Sequence, residues 1–226
     1  MIIPARFNGP PGSANGGYAC GLVSEALGGG FEVTLLLPPP LEKELDLVGN
    51  ELRDGDVVVA RARRAMPPAD EAPEPVGVAE AEEASKSYAG FQHHAYPTCF
   101  TCGPAREDGL GIFAGPVEGR DGLVAAPWTP APDIRPEIVW AALDCPSGWA
   151  VDEFQREGVL LGRMAAVIRT LPVSGEAHVV IGWRIGEDGR KRLAGSALYS
   201  AGGELLAQAR STWLVPATER DPARGA

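Results

Sequence analysis

The sequence predicts an α+β protein made of two consecutive units, each an antiparallel sheet wrapped around one central helix. Three observations carry this prediction. Two apolar helical stretches, opening near residues 16 and 136, are each followed by a run of strand-forming text. The 29 glycines and 21 prolines cluster between these stretches and punctuate them. Half of a 226-residue chain is too small to cover such a helix and also close its sheet edge, so pairing the halves edge to edge removes an exposed edge.

The first helix follows a Gly/Pro lead-in, residues 8–14. Tyr18, Leu22 and Ala26 recur at i, i+4 and i+8, with Ala19, Val23 and Leu27 one step round, which makes a wide apolar stripe. Asn15 is a good N-cap, and Gly28-Gly29-Gly30 ends the helix. Gly16, Gly17 and Gly21 are poor helix formers, so something should approach the backbone there. Strands are expected at Phe31–Leu37, Glu44–Leu52 and Asp56–Arg63, the last two joined at Asp54-Gly55.

Residues 67–77 have linker composition, and Ala79–Tyr88 suits a short acidic helix. Extended text resumes at Leu110–Val117 and Leu123–Trp128. Pro136 opens the second helix, which runs to Cys145, where Pro146 ends or kinks it. Four strands follow at Val159–Arg169, His178–Ile185, Arg192–Tyr199 and Leu205–Val215. The expected division is therefore a first unit over residues 1–78, a linker over 79–108, a second unit over 109–217 and a tail over 218–226.

A hydrophobic fraction of 45% and a charged fraction of 22% are ordinary for a globular protein. A formal charge of −10 argues against nucleic acid or an anionic membrane surface as the partner. No segment approaches the length of a membrane span, and four cysteines do not make a disulfide framework. A cytoplasmic protein with reduced cysteines is expected. There is no P-loop, dinucleotide fingerprint, metalloprotease motif or serine elbow.

The motifs resemble those of the hotdog-fold acyl-CoA thioesterases. In the first half these are Asn15-Gly16-Gly17-Tyr18 opening a helix, Val33-Thr34-Leu35, Pro38-Pro39-Pro40-Leu41 and Leu45-Asp46-Leu47. In the second half Val139-Trp140-Ala141-Ala142-Leu143-Asp144-Cys145 and the long strands after it are similar to the second unit of fused members. The resemblance covers nearly the whole chain. It implies a tandem (double) hotdog with an acyl chain bound between the units, and a small-molecule acyl thioester as partner. It implies no cofactor. A monomer, or a homodimer of the tandem unit, would suffice. The Ala/Gly/Arg bias also looks like high-GC bacterial coding.

In that family the helix N-terminus holds the developing oxyanion and a carboxylate supplies base or nucleophile. The resemblance implies catalytic roles for Asp144 and Asn15, and substrate contacts for Gly16, Gly17, Tyr18 and Trp140. Two positions depart from the family pattern. Asn15 stands where histidine is common, and Ser24 stands seven residues past Gly17, where many members carry the catalytic acid, with Glu25 one step on.

Each site has a plainer alternative. Asp144 is a carboxylate within an apolar run, costly to bury unless paired or used, or else a helix-end acid facing solvent or bound to a nearby amide. Asn15 is an N-cap, a carbonyl-binding amide, or both. Gly16 and Gly17 make a tight turn, or admit a ligand. Glu25 reads as a solvated acid. Arg163, Arg169 and Arg184 either meet a phosphate or form surface ion pairs. Cys99-x-x-Cys102 with His94 nearby is half of a zinc site. With no second Cys-x-x-Cys to complete it, the stretch reads as a rigid connection anchored by Phe91, Tyr96 and Phe100, and no metal is expected.

Overall fold

A computed structural model describes residues 1–65, 72–151 and 159–216. The first half contains α1 (Gly16–Ala26) and strands β1 (Phe31–Leu35), β2 (Asp46–Val48), β3 (Glu51–Asp54) and β4 (Val57–Arg64). Then come α2 (Val78–Lys86), β5 (Gly115–Pro116), β6 (Leu123–Trp128) and α3 (Pro136–Trp149). The chain closes with β7 (Leu160–Ile168), β8 (His178–Asp188), β9 (Lys191–Ser200) and β10 (Leu205–Leu214).

The expected pair of separate sheets is corrected to a single antiparallel sheet of ten strands, in the order β2-β3-β4-β1-β7-β10-β9-β8-β6-β5. The seam is β1 against β7, with Val33 opposite Met164, both fully buried. Each half would otherwise present a long apolar edge here, and pairing satisfies both sets of amides and carbonyls at once. Both central helices lie on one face of the sheet, α1 over β1 and β7, α3 over β6 to β10.

The two helices run antiparallel and touch through glycine. A Cβ on Gly17 would sit 2.5 Å from Asp144 Cβ and 2.6 Å from the Trp140 carbonyl oxygen. One on Gly21 would sit 2.7 Å from Trp140 Cγ. The poor helix formers are thus where α3 approaches most closely. Asn15 caps α1, its Oδ1 accepting from the Tyr18 amide at 2.9 Å. Ser24 is fully buried and accepts from the Phe31 amide at 3.3 Å, pinning the helix end to β1.

Three element boundaries differ from expectation. The strand expected over 44–52 is split by a turn at Gly49, whose φ is 60°, so β2 and β3 form their own hairpin. The extended stretch over 110–117 reduces to the two residues of β5. Helix α3 passes through Pro146 to Trp149. Proline removes the amide that would bond the Ala142 carbonyl; separately, Thr101 Oγ1 donates to the Ala141 carbonyl at 2.9 Å and ties the helix to the 99–102 turn.

The 79–108 stretch packs in two places. Helix α2 covers the far face of the sheet, with Ala81 and Ala84 packed in a second core over Leu123, Ala125, Val179 and Ile181. This explains why β6 is apolar on both sides: Val124, Ala126 and Trp128 face the main core. After α2, Cys99, Phe100 and Cys102 enter the main core directly. No helix among the described residues is long and apolar enough to cross a membrane.

Candidate functional site

A cavity of about 250 Å³ opens between the halves. Its walls come from the 9–16 approach to α1, the end of β1 with Leu36–Pro39, the start of β7 and the end of β10. Leu36, Leu37 and Leu160 form a largely exposed apolar part of this wall. The polar groups on it include Asn15, Gly16, Asp144 and three cysteines.

Asp144 reaches the cavity because α3 crosses α1 at Gly17. Its Oδ2 accepts the Gly17 amide at 2.9 Å, and its buried Oδ1 has no hydrogen-bond partner among the described residues. Burial pushes the Asp144 carboxyl up to about 7, against the opposing pull of the Gly17 amide; the nearby Cys99 thiol adds to the rise and the Asn15 amide opposes it. Gly16 lines the cavity, and its amide makes no hydrogen bond among the described residues. Gly16, with its unpaired helix-start amide, and Asp144, with one unpaired oxygen closed to solvent, therefore both lie on one apolar cavity.

Asn15 and Asp144 both line this cavity, and the Asn15 amide faces sulfur. Its Nδ2 lies 3.3 Å from Thr101 Oγ1, 3.8 Å from Cys99 Sγ and 4.0 Å from Cys145 Sγ. Gly17, Tyr18 and Trp140 do not line the cavity. Gly17 is covered by Asp144. Tyr18 stacks on Phe7 with ring centroids 3.9 Å apart, and Trp140 lies buried under Gly21. Glu25 is partly buried and stands away from the cavity. Arg163 pairs with Glu32 at 3.4 Å and Arg184 with Glu187 at 3.7 Å, the blander of the two roles considered for them.

What sequence reasoning missed is that Cys145 joins Cys99 and Cys102 in one cluster. Cys99, Cys102 and Cys145 are all buried, and their sulfurs lie within 4.8 Å of one another. Cys99 Sγ and Cys145 Sγ are 3.7 Å apart, and His94 Nε2 is 3.4 Å from Cys102 Sγ. Hydrogen bonds from Cys102, from Cys145 and from nearby amides hold the Cys99 thiol well below its ordinary value despite burial. Hydrogen bonding to its partner thiols and burial push Cys145 up, and Cys102 rises chiefly by burial. A run of Cys-x-x-Cys gave half of this cluster, and only the tertiary approach of α3 supplies Cys145.

Several solved structures are similar over nearly the whole chain. A putative thioesterase from Novosphingobium aromaticivorans is 13% identical with a TM-score of 0.62, over 96% of this chain and 94% of that one. A conserved protein of unknown function with a hot dog fold from Alicyclobacillus acidocaldarius is 12% identical with a TM-score of 0.60, over 96% and 92%. The tesB protein of Mycobacterium avium subs paratuberculosis is 14% identical with a TM-score of 0.57, over 96% and 91%. No family model matches the chain, and no curated protein matches it in sequence. With the central helices, the antiparallel sheet and the full-length likeness to these structures together, the chain has the hotdog fold.

Proposed function

We propose that this chain is a double-hotdog hydrolase of acyl thioesters, with coenzyme A or a carrier protein as the thiol. The observation that carries the reading is the placement of Gly16, whose amide is free, and Asp144, whose Oδ1 is unpaired, on one apolar cavity. The acyl chain lies along Leu36, Leu37, Leu160 and Leu161, where burial of methylenes supplies binding energy at about 0.8 kcal/mol each. The carbonyl oxygen takes the Gly16 amide. Asp144 Oδ1 accepts a proton from water as the water oxygen attacks the carbonyl carbon. The tetrahedral oxyanion then collapses, the C–S bond breaks, and the thiolate leaves with the proton from Asp144. The Gly17 amide keeps Oδ2 fixed throughout. Gly17, Tyr18 and Trp140 serve this site by positioning the two helices.

The full-length likeness to a putative thioesterase supports the same reading. Thiol release from a panel of acyl-CoA esters tests it. Turnover should be measurable for at least one chain length and fall by about 10²-fold or more in Asp144→Asn.

One observation favours a second reading, a non-catalytic protein that binds an acyl or other apolar ligand. Ser24, at the position of the family acid, is buried and spent on the Phe31 amide, so α1 brings no acid to the cavity. Under this reading ligands raise the melting temperature and no thiol is released.

A further inference from the structure

We propose that Cys99, Cys102 and Cys145, with His94 as fourth ligand, hold a structural zinc ion that ties the 92–103 turn to helix α3. The inference is independent of whether the chain hydrolyses thioesters.

Three buried sulfurs from two separate segments, 46 residues apart at Cys99 and Cys145, converge within 4.8 Å. With Zn–S bonds of about 2.3 Å, a tetrahedral site has sulfur–sulfur edges of about 3.8 Å. Cys99 and Cys145 already stand at 3.7 Å. An imidazole nitrogen at about 2.0 Å from zinc would lie about 3.5 Å from a ligating sulfur; His94 Nε2 lies 3.4 Å from Cys102 Sγ but outside the 4.8 Å group of the three sulfurs, so the imidazole moves inward on binding.

The local backbone suits such a knuckle. Gly103 donates to the Cys99 carbonyl at 2.9 Å, closing the Cys-x-x-Cys turn so that both sulfurs fall on one side. A Cβ on Gly103 would meet the Cys99 amide nitrogen at 2.5 Å, so no larger residue fits. Asn15 Nδ2 stands 3.8 Å from Cys99 Sγ and 4.0 Å from Cys145 Sγ, a donor for thiolate charge. The thiols bind as thiolates and release their protons to solvent.

Ligation through His94 Nε2 requires the ring proton on Nδ1. That nitrogen now accepts the Tyr96 amide at 2.9 Å, so the amide must turn away on binding. Ala95, Pro97 and Thr98 are exposed, which leaves room for the turn.

Elemental analysis of the full-length chain, expressed with zinc and purified under reducing conditions, tests the proposal. One zinc per chain is expected, abolished in Cys145→Ser. Cobalt(II) replacement should give the intense near-ultraviolet thiolate-to-metal band and the visible bands of a tetrahedral site. In His94→Ala, at a partly exposed position, the charge-transfer band should persist and the visible bands should shift as water replaces imidazole. Absence of zinc with no cobalt spectrum overturns the site. An unchanged cobalt spectrum in His94→Ala overturns the four-ligand assignment.

Discussion

Gly16 and Asp144 carry the proposed chemistry, and each can be separated from its structural background. Gly16 is the first residue of α1, where proline is tolerated, and Asn15 has φ −58° and ψ 129°, which suits a residue before proline. Gly16→Pro removes the free amide. Gly16→Ala keeps it while placing the same Cβ against the Leu161 side chain, at 2.8 Å from Cδ2. The two variants should melt within a few degrees of each other, and thiol release should be about 10²-fold lower in the proline variant. Equal turnover in both would remove the Gly16 amide from the reaction. The capped helix start was legible in sequence, from asparagine before two glycines, whereas a carboxylate inside an apolar run left open a reactive group or one bound to a nearby amide, and the Gly17 amide does bind it. Cys145 was not legible as a metal ligand, because nothing local distinguishes a helix-core cysteine from one that meets a distant Cys-x-x-Cys.

The packing of α1 on α3 depends on Gly17 and Gly21 having no side chain. Gly17→Ala gains about 1 kcal/mol of helix propensity but forces a methyl into the Asp144 and Trp140 backbone contact, an overpacking cost of about 1–3 kcal/mol, and loosens the Asp144 hydrogen bond. The expected net loss is about 2 kcal/mol, read as a fall in Tm of about 4–8 °C for a chain of this size. A Gly17→Ala protein as stable as wild type would show that the helices are less closely packed than described. Periodicity located the starts of both central helices and seven of the ten strands within three residues, since apolar alternation and turn residues are local signals. The Gly49 turn hid inside continuous strand-like text. Helix α3 continues past Pro146 where Thr101 ties the Ala141 carbonyl to the 99–102 turn, a tertiary contact that no local rule contains.

The joining of the two halves at β1 and β7 makes one sheet, so the molecule should unfold as one unit. All five tryptophans lie at or beyond residue 128, so their fluorescence follows the second half and, through Trp140, its contact with α1, while amide exchange in β4 follows the first half. Met164→Ala empties a fully buried seam position and should cost about 2–5 kcal/mol, with both probes shifting together. Separate transitions would mean that the seam contributes little. Pairing of the halves was foreseeable from edge exposure, whereas the merging of two sheets into one depended on which strands met, a non-local outcome.

The account stands most directly on one comparison: acyl-CoA thiol release by wild type and Asp144→Asn, with ligand-induced melting shifts measured on the same preparations. The expected result is hydrolysis by wild type of at least one acyl chain, and an Asp144→Asn protein that still gains thermal stability from that ester while losing turnover by about 10²-fold or more. Undiminished turnover in Asp144→Asn, or stabilisation of the wild type with no thiol released from any ester, would contradict it.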